Sequence, residues 1–158
     1  ACYLFYNKYK EQLPSYLWVL DKTVLVVAIA GCFIRFGNFM NSEIVGKYSN
    51  SNFGVVFLNR GETLPRHPAQ LYEALGYLIL FFILRQVYRT EKKNREGYLI
   101  GLFFVGMFSI RFVIEFIKES QGGFEEILGL LSTGQWLSIP FVLLGVFLML
   151  RKQNQAVE

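Results

Sequence analysis

The stretch YLIGLFFVGMFSIRFVIEFI at residues 98–117 carries only two charged side chains, Arg111 and Glu115, in twenty positions. A bilayer core about 30 Å thick needs roughly 20 mostly apolar helical residues to cross it, so this stretch predicts a transmembrane helix. Ionisable groups inside a membrane are costly and mark functional sites by default. The same stretch therefore predicts a membrane fold and points to a functional site.

Three further segments, at residues 17–36, 68–84 and 136–150, have a similar apolar character. The chain is 53% hydrophobic and only 18% charged, which is more apolar and less charged than a typical soluble domain. We therefore predict an all-α, polytopic membrane protein, with residues 1–158 forming a single integral membrane domain. The opening residues ACYLFY are too short to span, and we interpret them as the end of a further helix in an N-terminally truncated chain.

The basic residues predict the orientation of the four spans. Residues 85–95 hold five lysines or arginines, and residues 8–10 and 151–152 hold two each. These three regions lie on one side if all four segments span, and the positive-inside rule makes that side cytoplasmic. The C-terminus is then cytoplasmic. Residues 37–67, a long loop rich in Asn, Ser and Gly, then face outward.

This topology brings polar groups from several helices to one depth. Arg35 lies at the outer end of its helix, and Gln70 and Glu73 lie in the first two turns of the next. Arg111 lies roughly 9 Å inside the outer end of its helix at 1.5 Å per residue, with Glu115 one turn nearer the surface. Two guanidinium groups at the outer leaflet suit a phospholipid phosphate, which they bind through paired hydrogen bonds.

Each of these groups also has a structural interpretation. Arg111 and Glu115 are four residues apart and could neutralise each other, Arg35 could extend to the headgroups as an ordinary interfacial arginine, and Glu73 could pair with either arginine. His67 could be a loop or cap residue, since Pro68 after it suits a first helical position. Asn38 and Asn41 could form a turn, Tyr72 could belong to an aromatic belt, and Asp21 and Lys22 are interpreted as a local pair.

Four motifs resemble bacterial prolipoprotein diacylglyceryl transferases. R-F-G-N-F-M-N-S-E-I-V-G at residues 35–46 has every fixed position of the family signature R-x-G-N-F-x-N-x-E-x-x-G. H-P-A-Q-L-Y-E at residues 67–73, R-F-V-I-E-F at residues 111–116 and G-Q-W-L-S-I-P at residues 134–140 are similar to later motifs, in the same order. The resemblance runs over nearly the whole chain and places it in the C-terminal part of the family's seven-helix fold.

The resemblance implies an enzyme of the bacterial inner membrane that needs no metal or cofactor. Such an enzyme moves the diacylglyceryl group of phosphatidylglycerol to the lipobox cysteine of a prolipoprotein signal peptide and releases glycerol 1-phosphate. Its partners are these substrates and membrane lipids, with no nucleic acid. Together with the common depth of the polar groups, the resemblance leads us to predict four catalytic residues, Arg35, Arg111, His67 and Glu115. The predicted phosphatidylglycerol-binding residues are Arg35, Asn38, Asn41, Glu43, Gly46, Gln70, Tyr72, Glu73 and Arg111.

The chain departs from the family at two places. Met107 stands four residues before the third-motif arginine, where many members have tyrosine. The N-terminal helices, with a histidine proposed for catalysis, are missing, and His67 is a weaker choice for the base. The alternative function is a transporter or channel with an anion site at headgroup level. It would require a polar file in the inner half of the membrane, for which only Asp21 and Lys22 are available.

Overall fold

The computed structural model describes residues 1–50, 53–119 and 131–151, and within these ranges the chain is helical. The helices are α1 (Cys2–Lys8), α2 (Tyr16–Met40), α3 (Ala69–Tyr88), α4 (Tyr98–Ile114) and α5 (Thr133–Leu150), with 3-10 turns at Leu58–Arg60 and Glu91–Asn94. Pairing between extended segments in these ranges is limited to three isolated antiparallel bridges. The all-α prediction is confirmed. By length and composition, α2, α3 and α5 are suited to crossing a membrane, and α4 is shorter.

The helix ends follow from local capping. The Ser15 side chain accepts a hydrogen bond from the backbone N–H of Trp18 and starts α2, and Ser132 and Gln135 form a reciprocal capping box that starts α5. Both patterns satisfy backbone donors that a helix end leaves free. Because of this box, α5 begins three residues earlier than the apolar run at 136–150 indicated.

Two other boundaries also differ from those predicted. Helix α2 continues to Met40, so the first six residues of the 35–46 motif belong to its last two turns. Helix α4 ends at Ile114, and residues 115–117 form turns instead of extending the helix. The chain leaves the helix here because Lys118 forms an antiparallel bridge with Gly46, which helical backbone could not do.

The apolar core lies where α2, α3 and α4 meet. Its fully or nearly fully buried members are Val24, Ala28, Leu80, Leu84, Leu99, Ile100 and Phe103. Helix α5 packs along α4, and there Gly101 and Gly145 bring the two backbones together. A Cβ at Gly101 would lie 2.7 Å from the Gly145 carbonyl oxygen, and one at Gly145 would lie 2.6 Å from that of Gly101. Small residues allow this close approach in membrane helix pairs.

The segment between α2 and α3 folds back over one end of this bundle. The backbone N–H of Gly46 donates to the His67 carbonyl at 3.0 Å, and that of Lys47 donates to the Ile117 carbonyl at 2.8 Å. Val55 and Arg66 exchange two backbone hydrogen bonds of 2.9 Å. The segment is therefore tied both to the start of α3 and to the turn that follows α4.

Candidate functional site

A buried chain of alternating charges lies at the end of the bundle where α2 and α4 end and α3 and α5 begin. Nε of Arg35 lies 2.9 Å from Oε2 of Glu73, and Nζ of Lys118 lies 3.3 Å from Oε1 of the same carboxylate. Nζ of Lys118 is also 3.6 Å from Oε2 of Glu115. The side chains of Glu73 and Lys118 are 0% and 6% exposed, so these are ion pairs removed from solvent.

Glu115 closes this chain at the start of α5. A Cβ built on Gly134 would lie 2.5–2.7 Å from the Glu115 carboxyl atoms, so the carboxylate sits directly against the first turn of the helix. The helix dipole favours a negative charge there. A side chain at this position would displace the carboxylate. The nearest described cation to Glu115 is Lys118, which does not support a simple Arg111–Glu115 pair.

Arg111 lies near the same group, on the side of Tyr77. The Tyr77 ring packs against Gly31, one turn before Arg35 on α2, with 3.3 Å from its Cδ2 to a Cβ built at that glycine. The Tyr77 hydroxyl lies within electrostatic range of Arg35, Glu73 and Arg111. Among the described residues, Arg111 has no carboxylate within ion-pair distance. We call Arg35, Glu73, Arg111, Glu115 and Lys118 the charge cluster.

The charge cluster carries more positive than negative charge. It contains three basic and two acidic side chains, so it is left with one net positive charge when all are ionised. It also retains acceptor and donor capacity. Oε2 of Glu73 is close to Arg35 yet receives no well-aligned hydrogen bond, and neither does Oε2 of Glu115. A buried group with a positive surplus is suited to a single anionic ligand.

The 35–46 motif continues from the charge cluster into a constrained turn. Nε2 of Gln70 donates to the Glu43 carbonyl at 2.6 Å, and the backbone N–H of Glu43 donates to the Asn38 carbonyl at 2.9 Å. Ser42 and Ile44 have φ values of 58° and 53°. A β-branched residue such as Ile44 rarely adopts this left-handed conformation, and such strain, of order 1–3 kcal/mol, concentrates at functional sites.

Gly46 allows this turn to pack against the start of α3. A Cβ at this position would lie 2.5 Å from the His67 carbonyl oxygen and 2.7 Å from the His67 Cβ. The Gly46 carbonyl accepts a hydrogen bond from Nη1 of Arg66 at 3.1 Å. The signature glycine is therefore explained by close packing of two backbone segments.

Arg66 organises the outer side of the folded-back segment. It is 4% exposed, pairs with Glu62 and Glu119, and stacks 3.9 Å from the ring centre of Tyr48. The hydrogen bond from Arg66 holds the pKa of Glu62 below its usual range. Burial lowers the pKa of Arg66, but the hydrogen bond and charge of Glu62 and Glu119 outweigh this and leave its pKa raised. This arginine therefore stays charged and paired.

The structure brings together only part of the predicted residue set. Arg35, Glu73, Arg111 and Glu115 share the charge cluster, whereas Gln70, Glu43 and Gly46 shape the adjoining turn. Among the described contacts, the imidazole of His67 lies near the Tyr72 ring, with 6.4 Å between centroids, and is not joined to either arginine. Tyr72 lines an apolar groove of about 460 Å³ between α3 and α4. Asn38 is half-buried and Asn41 exposed.

The interpretation of Asp21 and Lys22 as a local pair is wrong. Oδ2 and Oδ1 of Asp21 accept hydrogen bonds from the backbone N–H groups of Gly97 at 2.7 Å and Ile100 at 2.8 Å. The carboxylate therefore caps the start of α4. Nζ of Lys22 lies over the rings of Trp18 and Tyr88. Neither group begins a polar file through the bundle, which removes the observation that the transporter alternative needed.

Three contributors to the site were missed in the sequence. Lys118 was not among the predicted site residues, although its place three residues after Glu115 indicates a possible pair. Arg66, beside His67, was not predicted either, nor was Tyr77, although it lies four residues after Glu73 on the same helix face. The spacing of Lys118 and Tyr77 was available in the sequence, whereas the partners of Arg66 were not.

Comparison with known proteins agrees with these features. The family model described as prolipoprotein diacylglyceryl transferase matches residues 1–151. The phosphatidylglycerol–prolipoprotein diacylglyceryl transferase of Tolumonas auensis is 48% identical over 150 residues, which are 95% of this chain and 57% of that protein. The protein of the same name from Bacteroides fragilis is 45% identical over 136 residues, 85% of this chain and 48% of the relative.

A more distant relative covers nearly the whole chain. The phosphatidylglycerol–prolipoprotein diacylglyceryl transferase of Chloroherpeton thalassium is 38% identical over 157 residues, 99% of this chain and 57% of that protein. The chain thus spans about half the length of the curated relatives it matches.

Proposed function

The chain belongs to the prolipoprotein diacylglyceryl transferase family, and from this we propose that it forms part of an enzyme that transfers the diacylglyceryl group of phosphatidylglycerol to the lipobox cysteine of prolipoproteins. The observation that carries the proposal is the net positive charge cluster at one end of an apolar helix bundle. A phosphodiester headgroup bears one negative charge, which matches the single positive surplus of the cluster.

We propose the following placement in the membrane. Helices α2 to α5 span the bacterial inner membrane as parts of one integral membrane domain, with the C-terminus cytoplasmic. The charge cluster then lies at the level of the outer leaflet, beneath the folded-back segment between α2 and α3. Residues 85–95 lie where the other ends of α3 and α4 are joined, and their five basic side chains support this orientation.

The reaction is a substitution at a glycerol carbon. The thiolate is the nucleophile, so the cysteine thiol loses its proton. A C–S bond forms as the C–O bond to the phosphate breaks, and glycerol 1-phosphate leaves with the electron pair of that bond. Negative charge on the phosphate increases during this step, and we propose that Arg35 and Arg111 stabilise it by preorganised electrostatics.

The remaining residues are given supporting roles. Glu73 and Glu115 hold the cations of the charge cluster in place, and Gln70 fixes the turn that carries Glu43. Asn38 and Asn41 are proposed to contact the glycerol of the headgroup. Tyr72 faces the apolar groove between α3 and α4, a position suited to the acyl-chain side of the lipid. His67 is kept as a base only if it moves away from its place beside Tyr72.

The test is transfer from labelled phosphatidylglycerol to a lipobox peptide by the complete gene product containing these residues. Arg35→Ala and Arg111→Ala should each reduce kcat/KM by about 100-fold or more, the usual effect of removing one preorganised donor. Lys93→Ala, in the loop at the opposite end of the bundle, is the matched removal of a cation and should leave kcat/KM unchanged. Near-normal transfer by both arginine variants would refute the assignment.

A further inference from the structure

Lys118 occupies a position that controls how Arg35 pairs with Glu73. A guanidinium group commonly binds a carboxylate through two parallel hydrogen bonds that use both oxygens. Here the closest Arg35 contact joins Nε to Oε2, while Nζ of Lys118 occupies Oε1 as a hydrogen-bond donor at 3.3 Å. Each oxygen of Glu73 therefore has its own cation, and a two-bond arrangement with Arg35 would have to share Oε1 with the Lys118 ammonium group.

The position of Lys118 is fixed by its backbone as well as by its charge. Lys118 forms the antiparallel bridge with Gly46, and its backbone N–H donates to the Ile114 carbonyl at 3.2 Å. Its ammonium group also lies 3.6 Å from Glu115, whose carboxylate rests on the start of α5. A lysine that is 6% exposed has few alternative places for its charge, so it remains on Glu73.

We propose that Lys118 is a positioning residue that keeps the terminal N–H groups of Arg35 available for the lipid phosphate. This inference rests on the proposed function and deepens it. Without the ammonium group, Oε1 of Glu73 is free and Arg35 turns to bind both carboxylate oxygens. The guanidinium group is then neutralised by Glu73 before the lipid arrives. The lipid must compete with an internal carboxylate, which weakens its binding more than it slows the chemical step.

The experiment measures KM and kcat for phosphatidylglycerol, presented in phosphatidylcholine vesicles to the complete protein with a lipobox peptide. Lys118→Met should raise KM about 10-fold or more while kcat changes by less than about three-fold, since a ten-fold change corresponds to losing about one good interaction. Lys118→Arg keeps a donor on Oε1 and should restore KM to within about three-fold of wild type. The matched control is Lys47→Met, because Lys47 is exposed and its ammonium group donates to the Phe116 carbonyl and to no carboxylate among the described residues.

A double variant keeps the inference testable if Lys118→Met fails to fold. Lys118→Met with Glu73→Gln removes both members of the buried pair, so no unpaired carboxylate remains between them. If Lys118 acts only through Glu73, the double variant should have the same KM as Glu73→Gln alone. A further rise in KM would mean that Lys118 contacts the lipid directly, and the inference would be wrong.

The failure of the inference is distinguishable from failure of the proposed function. If the wild-type protein transfers no diacylglyceryl group, the function is refuted and the role of Lys118 falls with it. If the wild type transfers and Lys118→Met keeps its KM, only the inference is overturned. A loss of kcat with unchanged KM also overturns it, because the residue would then act on the chemical step or on the fold alone.

Discussion

Asp21 and Glu73 are both buried acids on apolar helices, yet they are satisfied in opposite ways. Asp21 is 1% exposed, and both of its carboxylate oxygens accept hydrogen bonds from backbone N–H groups at the start of α4. Glu73, 0% exposed, shares its oxygens between Arg35 and Lys118, and Oε2 receives no aligned hydrogen bond. An acid whose partners are fixed backbone groups serves the fold. One that is shared between two side-chain cations in a net positive cluster belongs to the site that we propose for the lipid.

The largest effect on stability is expected from removing the Asp21 carboxylate at the start of α4. Asp21→Ala leaves two N–H groups of α4 without their acceptors, and each such loss costs about 1–3 kcal/mol. We expect the free energy of unfolding in detergent micelles to fall by about 3 kcal/mol, while KM for phosphatidylglycerol stays unchanged in the protein that remains folded. Asp21→Asn, which keeps one acceptor, should lose roughly half as much. A raised KM would mean that this end also contributes to the lipid site.

A somewhat smaller effect on stability is expected where the folded-back segment meets α3. Gly46→Ala places a methyl group 2.5 Å from the His67 carbonyl oxygen, and overpacking of this kind costs about 1–3 kcal/mol. Because the displaced turn belongs to the site, transfer activity should fall together with stability, unlike the result at Asp21.

The control for this change is another glycine of the same motif. A Cβ at Gly37 meets no other atom within 4 Å, and the residue lies in the last turn of α2. Gly37→Ala should therefore leave stability equal or slightly higher, because alanine favours helix. Equal losses for the two glycine variants would show that backbone packing at Gly46 is not the cause.

The smallest effect is expected in the pH response of the ion pairs that Arg66 forms with Glu62 and Glu119. The folded-state pKa of Glu62 is lowered by Arg66, so its contribution is fully present above the unfolded pKa of about 4.3. It is lost only as the pH falls through the lower folded value. Protection of the Lys47 and His67 amides from hydrogen exchange should thus hold at pH 5 and decline well below pH 4.

Glu62→Gln provides the comparison for this measurement. It removes the titrating group and should give reduced protection that does not vary across the same acidic range. The Asp21–Gly97 contact lies at the other end of the bundle and does not involve this network, so the amide of Gly97 should respond equally in both proteins. A pH response that survives in Glu62→Gln would assign the titration to another group.

The sequence predicted the helices well because each apolar run is long enough to specify one. It was less accurate at helix ends, where single contacts decide. The end of α4 at Ile114 depends on the bridge between Lys118 and Gly46, and that bridge joins residues far apart in the chain. The true role of Asp21 depends on partners 76 and 79 residues away, which no local pattern reveals.

The grouping of the candidate residues in space was predicted to a similar extent. The motif pattern and the common depth of the charges brought out Arg35, Glu73, Arg111 and Glu115, and the structure places these four near one another. The pairing of Arg35 with Glu73 was one of two options, and the structure selects it. Lys118 was missed because the predicted helix ran past residue 114 to residue 117, so its side chain was assigned to the outer loop and not turned back toward Glu73.

The order of the charge cluster along the chain bears on how the protein is made. Arg35 lies at the end of α2, and its acid partner Glu73 belongs to the next helix to leave the ribosome. During synthesis, the arginine therefore reaches the membrane before Glu73 does, and its position near a helix end, where long basic side chains reach the headgroups, makes this tolerable. Anionic lipid headgroups are partners within its reach at that stage. Assembly of the bundle would replace that temporary partner with Glu73, so the contact proposed for catalysis also resembles the one in which the helix is first inserted.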